Sequence, residues 1–334
     1  MAVQDRDYAL VIGIRHYPDY RTLEGAINDA EDFAKWLCED NGGGLDSKHV
    51  ECVLSVLTDS DLRPVQEQID YALAKIKKNS AAGGRRFYLY FAGHGMGSDT
   101  TDLALCLPRW STDLWRGAAL CLNGYLKFVV ELGHFQQVAC FLDCCRVRQV
   151  SIGCNPPQIK NVKPAANAGS VVTFLAYATE FDNLAYEAEV QQTGIVRGHF
   201  TRALMEALRG AATGPSRGVL PSRLAGYVDR RTAELAKDKQ QHQKASIPSV
   251  PTDEANWIFG NYPPKHNVEI SFSAGRGDVL LEDPYGHEIQ RGPAKTGPWQ
   301  LKLDAALHLL TDLATKDVNP FRVKGTEEVQ HEHF

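Results

Sequence analysis

Five short apolar runs constrain this chain more than any other feature. Tyr8–Ile14, Val50–Leu57, Phe87–Phe91, Val138–Leu142 and Val171–Ala178 are apolar along most of their length. A strand with one wet face alternates apolar and polar residues. Runs without alternation predict strands covered on both faces. Between them lie stretches with helical spacing. Ala26, Ala30, Phe33, Ala34 and Leu37 form one stripe over residues 25–38, which Asn41-Gly-Gly-Gly44 closes. Val65, Ile69, Ala72, Leu73 and Ile76 form another over residues 62–79. Further helices are expected over Leu122–Leu132, Phe200–Leu208 and Ser222–Ala236. Strands alternating with helices predict an α/β fold whose mainly parallel sheet is flanked by helices on both faces.

The texture changes after Asn261-Tyr-Pro-Pro264. Val268–Phe272, Asp278–Glu282, His287–Gln290, Trp299–Leu303, His308–Thr311 and Phe321–Val323 are short runs split by Gly, Pro and Asp. They predict a small β-sandwich-like domain over 265–334, after a first domain over 1–260. Trp299 is expected in its core. The terminal His331-Glu-His-Phe334 is expected to be a frayed tail rather than a set of metal ligands. Residues 151–169, with Pro156, Pro157 and Pro164, read as a mobile loop.

Composition excludes several function classes. A net charge of −5 leaves no basic excess to hold a nucleic acid backbone. No apolar run approaches the roughly 20 residues that a bilayer span needs. Met1–Arg6 is polar and charged, unlike a secretory leader. Of eight cysteines, none forms a CxxC pair, and several lie in apolar runs where a thiol packs as a small hydrophobe. This predicts a reducing, cytoplasmic setting without a zinc ribbon. No EF-hand-like acidic loop occurs, and no GxxxxGK[ST] or GxGxxG motif follows the first strand, so neither a metal nor a nucleotide cofactor is expected.

In an open parallel sheet, ligands bind beyond the carboxyl ends of the strands. Two reactive clusters stand at such ends. Ala92-Gly-His-Gly95 follows the third run, and Asp143-Cys-Cys-Arg146 follows the fourth. A thiol needs a nearby base to become a thiolate near neutral pH, and histidine suits that role. The glycines beside His94 permit close backbone approach. They also leave the Gly95 amide available, with that of Cys145, to hold an oxyanion.

These two clusters, together with Leu23-Glu-Gly-Ala-Ile-Asn-Asp-Ala30, Tyr177-Ala-Thr179 and Gly198-His-Phe-Thr-Arg-Ala-Leu204, resemble the caspase-like cysteine peptidases. The likeness is greatest to bacterial caspase homologues and metacaspases, and it covers roughly residues 7–210. It implies a catalytic dyad of His94 and Cys145. The family's cysteine stands two residues after the acid, which makes Cys144 a neighbour. Adjacent thiols on an extended chain face opposite ways, so only one can meet His94. Animal caspases cut after aspartate with pocket arginines. The matching places here are Leu23 and the vicinity of Glu187, neither of them basic. Metacaspase-like members carry acids at the positions of Asp29 and Asp143, and both are present. Buried carboxylates need a cationic partner. Cleavage of protein substrates after Arg, then Lys, is therefore expected; Asp182 and Glu187 could add acidity.

The resemblance further implies an effector of bacterial defence or regulated death, released by an activating protease or regulatory protein. Lys160 and Lys163, in the loop after the nucleophile, are candidate self-processing sites. The competing readings are a catalytically silent adaptor and an Asp-specific peptidase.

Overall fold

The computed structural model describes residues 6–55, 62–97, 102–111, 118–149, 153–160, 163–190, 194–213, 218–262, 265–282, 286, 288–304, 307–324 and 329–334. Residues 1–5, which bear on the leader expectation, lie outside that set. In chain order the first elements are β1 (Tyr8–Gly13), α1 (Ala26–Cys38), β2 (Val50–Leu54), α2 (Gln66–Asn79) and β3 (Arg86–Ala92). Then come β4 (Gly95–Gly97), β5 (Leu103–Cys106), β6 (Ala119–Cys121), α3 (Leu122–Leu132), β7 (Gln137–Asp143) and β8 (Val147–Arg148). Next are β9 (Val172–Tyr177), β10 (Glu187–Glu189), β11 (Val196–Gly198), α4 (His199–Glu206) and α5 (Pro221–Lys237).

The central sheet has the order β2-β1-β3-β7-β9, with every pairing parallel. Its strands obey a strict two-residue alternation. Tyr8, Leu10, Ile12, Phe87, Leu89, Phe91, Val138, Cys140 and Leu142 enter one core with the inner faces of α2 and α3. Ala9, Val11, Tyr88, Tyr90, Ala139 and Phe141 enter the other with α1, α4 and α5. Each helix brings the stripe its spacing predicts: Ile69, Ala72, Leu73 and Ile76 from α2, and Ala30, Phe33 and Leu37 from α1. The start of α2 is later than its periodicity suggests. Pro64 holds the chain extended before it, and the Val65 N–H donates to Gln68 Oε1 at 3.0 Å to close the first turn.

A second sheet, β6-β5-β4-β8, grows from the loops after β3 and β7. Its short strands carry too few residues for a periodic signal, and β4 and β8 were not legible in the sequence. The segment expected to be a mobile loop is tethered where it is described. Asn155 exchanges backbone hydrogen bonds of 2.9 Å with Ala119 and Cys121, the Gln158 N–H donates to Asp70 Oδ2 at 2.9 Å, and the Ala165 N–H donates to Glu131 O at 2.9 Å. Proline and polarity made it look free. Its anchors are backbone groups of distant elements, which composition does not report.

The remaining strands are β12 (Lys265–Ser271), β13 (Asp278–Glu282), β14 (Glu288–Pro293), β15 (Trp299–Asp304), β16 (Leu307–Asp312), β17 (Val318–Arg322) and β18 (Val329–His333). They form two sheets, β15-β12-β18 and β14-β13-β16-β17, around a third core that includes Val268, Ile270, Leu281, Leu310, Phe321 and Trp299. The expected frayed tail is corrected. Residues 329–333 pair in parallel with β12, and Phe334 is buried in this core. A polar edge strand with one apolar anchor leaves almost no sequence signal.

Candidate active site

The β3–β7 register fixes what meets at the carboxyl end of the sheet. The last rung pairs Ala92 with Asp143. His94 and Cys145 each lie two residues beyond that rung, on neighbouring strands about 5 Å apart. Alternation sends Leu142 and Cys144 into the α2–α3 core and leaves Asp143 and Cys145 on the α1–α4 side. His94, Cys145, Asp29 and Asp143 all line one cavity of about 210 Å³. Cys144 is 2% exposed, packed beneath Gly95, while Cys145 is the more accessible thiol.

His94 is held from three directions. Its backbone N–H donates to the Tyr17 hydroxyl at 2.9 Å, and that hydroxyl donates to Cys106 O at 3.1 Å. Tyr17 and Tyr20 set ring edges against the imidazole at centroid distances of 4.6 and 4.7 Å. Its Nε2 lies 2.6 Å from Arg21 O. A carbonyl can only accept, so Nε2 carries the proton and Nδ1 is the basic nitrogen. Burial lowers the ring's proton affinity below the ordinary histidine value, and the Arg21 carbonyl bond opposes that shift. The ring is therefore neutral near pH 7 and able to accept a proton.

Cys145 Sγ is engaged by the segment that crosses the cavity. The Ala185 N–H donates to it at 3.2 Å, and the thiol lies 3.6 Å from Ala185 O. Burial raises the thiol above its ordinary value, with the Ala185 backbone bond opposing. Thiol and imidazole are thus both neutral in this state, each tied to backbone. Gly95 sits between the two loops: a Cβ there would lie 2.6 Å from Cys144 Sγ and 2.7 Å from Cys145 O. Because the Cys106 N–H donates to His94 O, the next rung, Gly95 opposite Leu105, is a non-hydrogen-bonded pair. The Gly95 N–H therefore points away from β5, toward the β8 side on which the chain leaves Cys145.

The carboxylates gather round Gly198, the residue before α4. Its N–H donates to Asp29 Oδ2 at 2.8 Å. Asp143 Oδ2 accepts from the Thr201 N–H at 3.1 Å and from its hydroxyl at 2.6 Å. The N-terminus of α4 thus faces these acids, where helix amides favour negative charge. A Cβ on Gly198 would lie 2.3 Å from Asp143 Oδ2 and 3.1 Å from Asp29 Oδ2. Asp143 is pushed up to about 6, chiefly by burial, against its two Thr201 bonds. Asp29 is pushed well above the usual carboxylate range by burial and by Asp143, against the Gly198 bond and Arg197. Asp29 Oδ1 lies 3.6 Å from Arg197 Nη1, yet it makes no hydrogen bond.

Glu187 joins them in lining the cavity. It accepts from the Glu24 and Gly25 N–H groups at 3.1 and 2.8 Å, with Arg21 Nη2 4.0 Å away. Asp182 does not contribute; it turns to the Arg148 N–H at 3.0 Å. Lys160 and Lys163 are exposed.

Residues 6–254 match the caspase domain of the C14 peptidases. The chain belongs to the caspase-domain family. A probable protease of a Desulfuromonadales bacterium is 30% identical over 221 residues, which is 61% of this chain but 26% of that protein. The chain thus spans about a quarter of that relative's length. Caspase-1 from Spodoptera frugiperda superposes with a TM-score of 0.48 at 16% identity, over 75% of this chain and 91% of its own. The complex of Porphyromonas gingivalis RgpB pro- and mature domains superposes at 0.34 and 13% identity, over 97% of this chain and 68% of its own.

Sequence reasoning about this caspase domain missed several contributors. Tyr17, Tyr20 and the Arg21 carbonyl orient His94, Ala185 holds Cys145, and Thr201 and Gly198 hold the acids. The Gly198-to-Thr201 run carried one usable signal: a glycine and a threonine flanking the start of a predicted helix, a common anion-holding arrangement. The Ala185 contact left no signal, because it uses only backbone atoms. Among the described residues no helix is long and apolar enough to cross a membrane.

Proposed function

We propose that this protein is a cysteine endopeptidase cleaving after Arg, and next after Lys. The observation that carries the reading is one cavity lined at once by Cys145, His94 and three carboxylates. Substrate displaces Ala185 from the sulfur, and His94 Nδ1 takes the Cys145 proton. The thiolate attacks the carbonyl carbon, and the Gly95 and Cys145 amides receive the oxyanion. The leaving amine takes a proton from the imidazolium. A water deprotonated by His94 then releases the acyl group and restores the thiol.

Specificity follows from charge. Asp29, Asp143 and Glu187 line the cavity with Arg21 as the arginine among them; Arg197 lies closer to Asp32, at 2.9 Å, than to Asp29, at 3.6 Å, and Asp29 Oδ1 lacks a donor. A guanidinium entering there supplies paired donors and lowers the proton affinity of both buried aspartates; a lysine supplies the charge without the fork. A substrate aspartate would add a fourth carboxylate. Exposed Lys160 and Lys163 fit self-processing, and restraint by an upstream protease or sensor fits an effector of bacterial defence or cell death.

The test is a set of fluorogenic peptides ending in Arg, Lys or Asp, with Cys145→Ala as control. Hydrolysis in the order Arg, Lys, with none after Asp and none by the variant, supports the reading. Preference for Asp overturns the specificity. Inactivity of the wild-type chain, even after limited proteolysis of the 151–169 segment, favours the adaptor. Equal gel mobility of wild type and Cys145→Ala after incubation removes self-processing.

A further inference from the structure

A second cluster of reactive side chains lies on the β6-β5-β4-β8 sheet, outside the cavity. Asp102 immediately precedes β5, Cys121 ends β6, and Cys154 belongs to the segment that returns after β8. The carboxylate and the two sulfurs offer ligand atoms that all lie within 4.8 Å of one another. Cys121 Sγ is 3.9 Å from both Asp102 oxygens. A tetrahedral centre with the usual Zn–S and Zn–O bond lengths places ligand sulfurs about 3.8 Å apart and a sulfur about 3.6 Å from a ligand oxygen. The three groups therefore stand close to the edges of such a tetrahedron before any ion is bound.

The backbone around them is already ordered. Cys121 pairs with Ala104 across the β5–β6 ladder. The Cys121 N–H donates to Asn155 O, and the Asn155 N–H to Ala119 O, both at 2.9 Å, so Cys154 is held next to β6. Asp102 is braced by accepting the Leu103 N–H at 3.0 Å. All three residues are half-buried, and a water would complete four-fold coordination. The Cys121 thiol faces both Asp102 oxygens, so sulfur and carboxylate already point at a common centre. A metal that takes both sulfurs as thiolates releases their protons.

We propose that Asp102, Cys121 and Cys154 bind one thiophilic divalent cation of the Zn²⁺ type, which clamps the segment after Cys145 to the edge of β6. Two sulfurs exclude the hard cations Ca²⁺ and Mg²⁺, which require oxygen ligands. This differs from the expectation of a metal-free chain. That expectation rested on contiguous spacing, whereas these donors come from three separate segments.

Co²⁺ and Zn²⁺ serve as probes. Full-length Cys145→Ala protein, reduced with a phosphine and stripped of metal, is titrated with Co²⁺. The site predicts a near-ultraviolet thiolate-to-cobalt band that saturates at one equivalent and is displaced by Zn²⁺. It also predicts a Zn²⁺-dependent rise in Tm. Cys121→Ser and Cys154→Ser should each weaken binding by more than the roughly 10–100-fold typical of losing an outer-shell partner, and Asp102→Asn should weaken it less. A Cys38→Ser/Cys52→Ser variant, lacking the two exposed thiols, should keep the band. Metal-free melting curves show that each variant is folded. The proposal fails if the band is absent, if it survives Cys121→Ser/Cys154→Ser, or if it disappears in Cys38→Ser/Cys52→Ser.

Discussion

The two ends of strands β3 and β7 bury charge in opposite ways. At the amino end, Arg86 is fully buried. Its guanidinium donates to Gln137 Oε1, the Tyr88 hydroxyl, Ile258 O and Asn256 O, and it stacks against Trp257 and Phe259. Asp7 beside it is chelated by Arg85 and accepts the Arg86 N–H. At the carboxyl end, Asp29 keeps a buried oxygen without a donor, Asp143 is pushed up to about 6, and a neutral imidazole and thiol lean on backbone. Buried charge that is fully partnered holds a fold together. Buried charge left short of partners is paid for in stability and can be completed by a ligand.

The sharpest way to break this contrast is at the sulfur. Cys145→Ala and His94→Ala should each lower kcat/KM about 10³-fold or more while Tm barely moves. Arg86→Met should do the reverse, costing about 3–5 kcal/mol in denaturant melts because four acceptors lose their donor, with kcat little changed. A Cys145→Ala that melts like Arg86→Met would erase the distinction.

Asp143→Asn sharpens it. The variant should lose about 10²-fold in kcat/KM on Arg peptides, mostly in KM. It should also gain stability at neutral pH, on the order of 1–3 kcal/mol. The sign follows from the raised carboxyl. Its folded value exceeds the unfolded one, so its stabilising contribution is complete below the ordinary carboxylate range and is lost as pH rises through about 6. The gain should therefore vanish in acid, as melts of both proteins at several pH values would show.

Affinity should move the other way. Ionised acids bind the substrate cation, so KM for an Arg peptide should rise as pH falls through about 6, and this limb should weaken in Asp143→Asn. The acid limb of kcat should lie below the ordinary histidine range, because burial keeps His94 neutral. The smallest effect belongs to Tyr17→Phe. Losing the acceptor of the His94 N–H should lower kcat about tenfold with KM unchanged.

Much of this molecule could be read locally. The parity that separates Cys144 from Cys145 follows from extended geometry alone, and β7 carries it through Asp143. The α1 stripe and the span of α3 were equally plain. What escaped were contacts between distant segments. Glu187 was a candidate of unknown facing, and Arg197 gave no hint that it approaches Asp29, because that depends on how β11 lies against α1. The tethered 153–160 segment and strand β18 escaped for the same reason: their partners are backbone groups far along the chain.

The amino-acid sequence by itself determined strands covered on both faces and alternating with helices, and it set an imidazole and a thiol each just past a strand end. Those properties depend on hydrophobic period and strand parity, which act within a few residues. Only the tertiary structure decided which carboxylates share the cavity, that Ala185 rests on the sulfur, and that Asp102, Cys121 and Cys154 converge. Such meetings are set by the packing of whole elements, and no local pattern records where a distant backbone will come to rest.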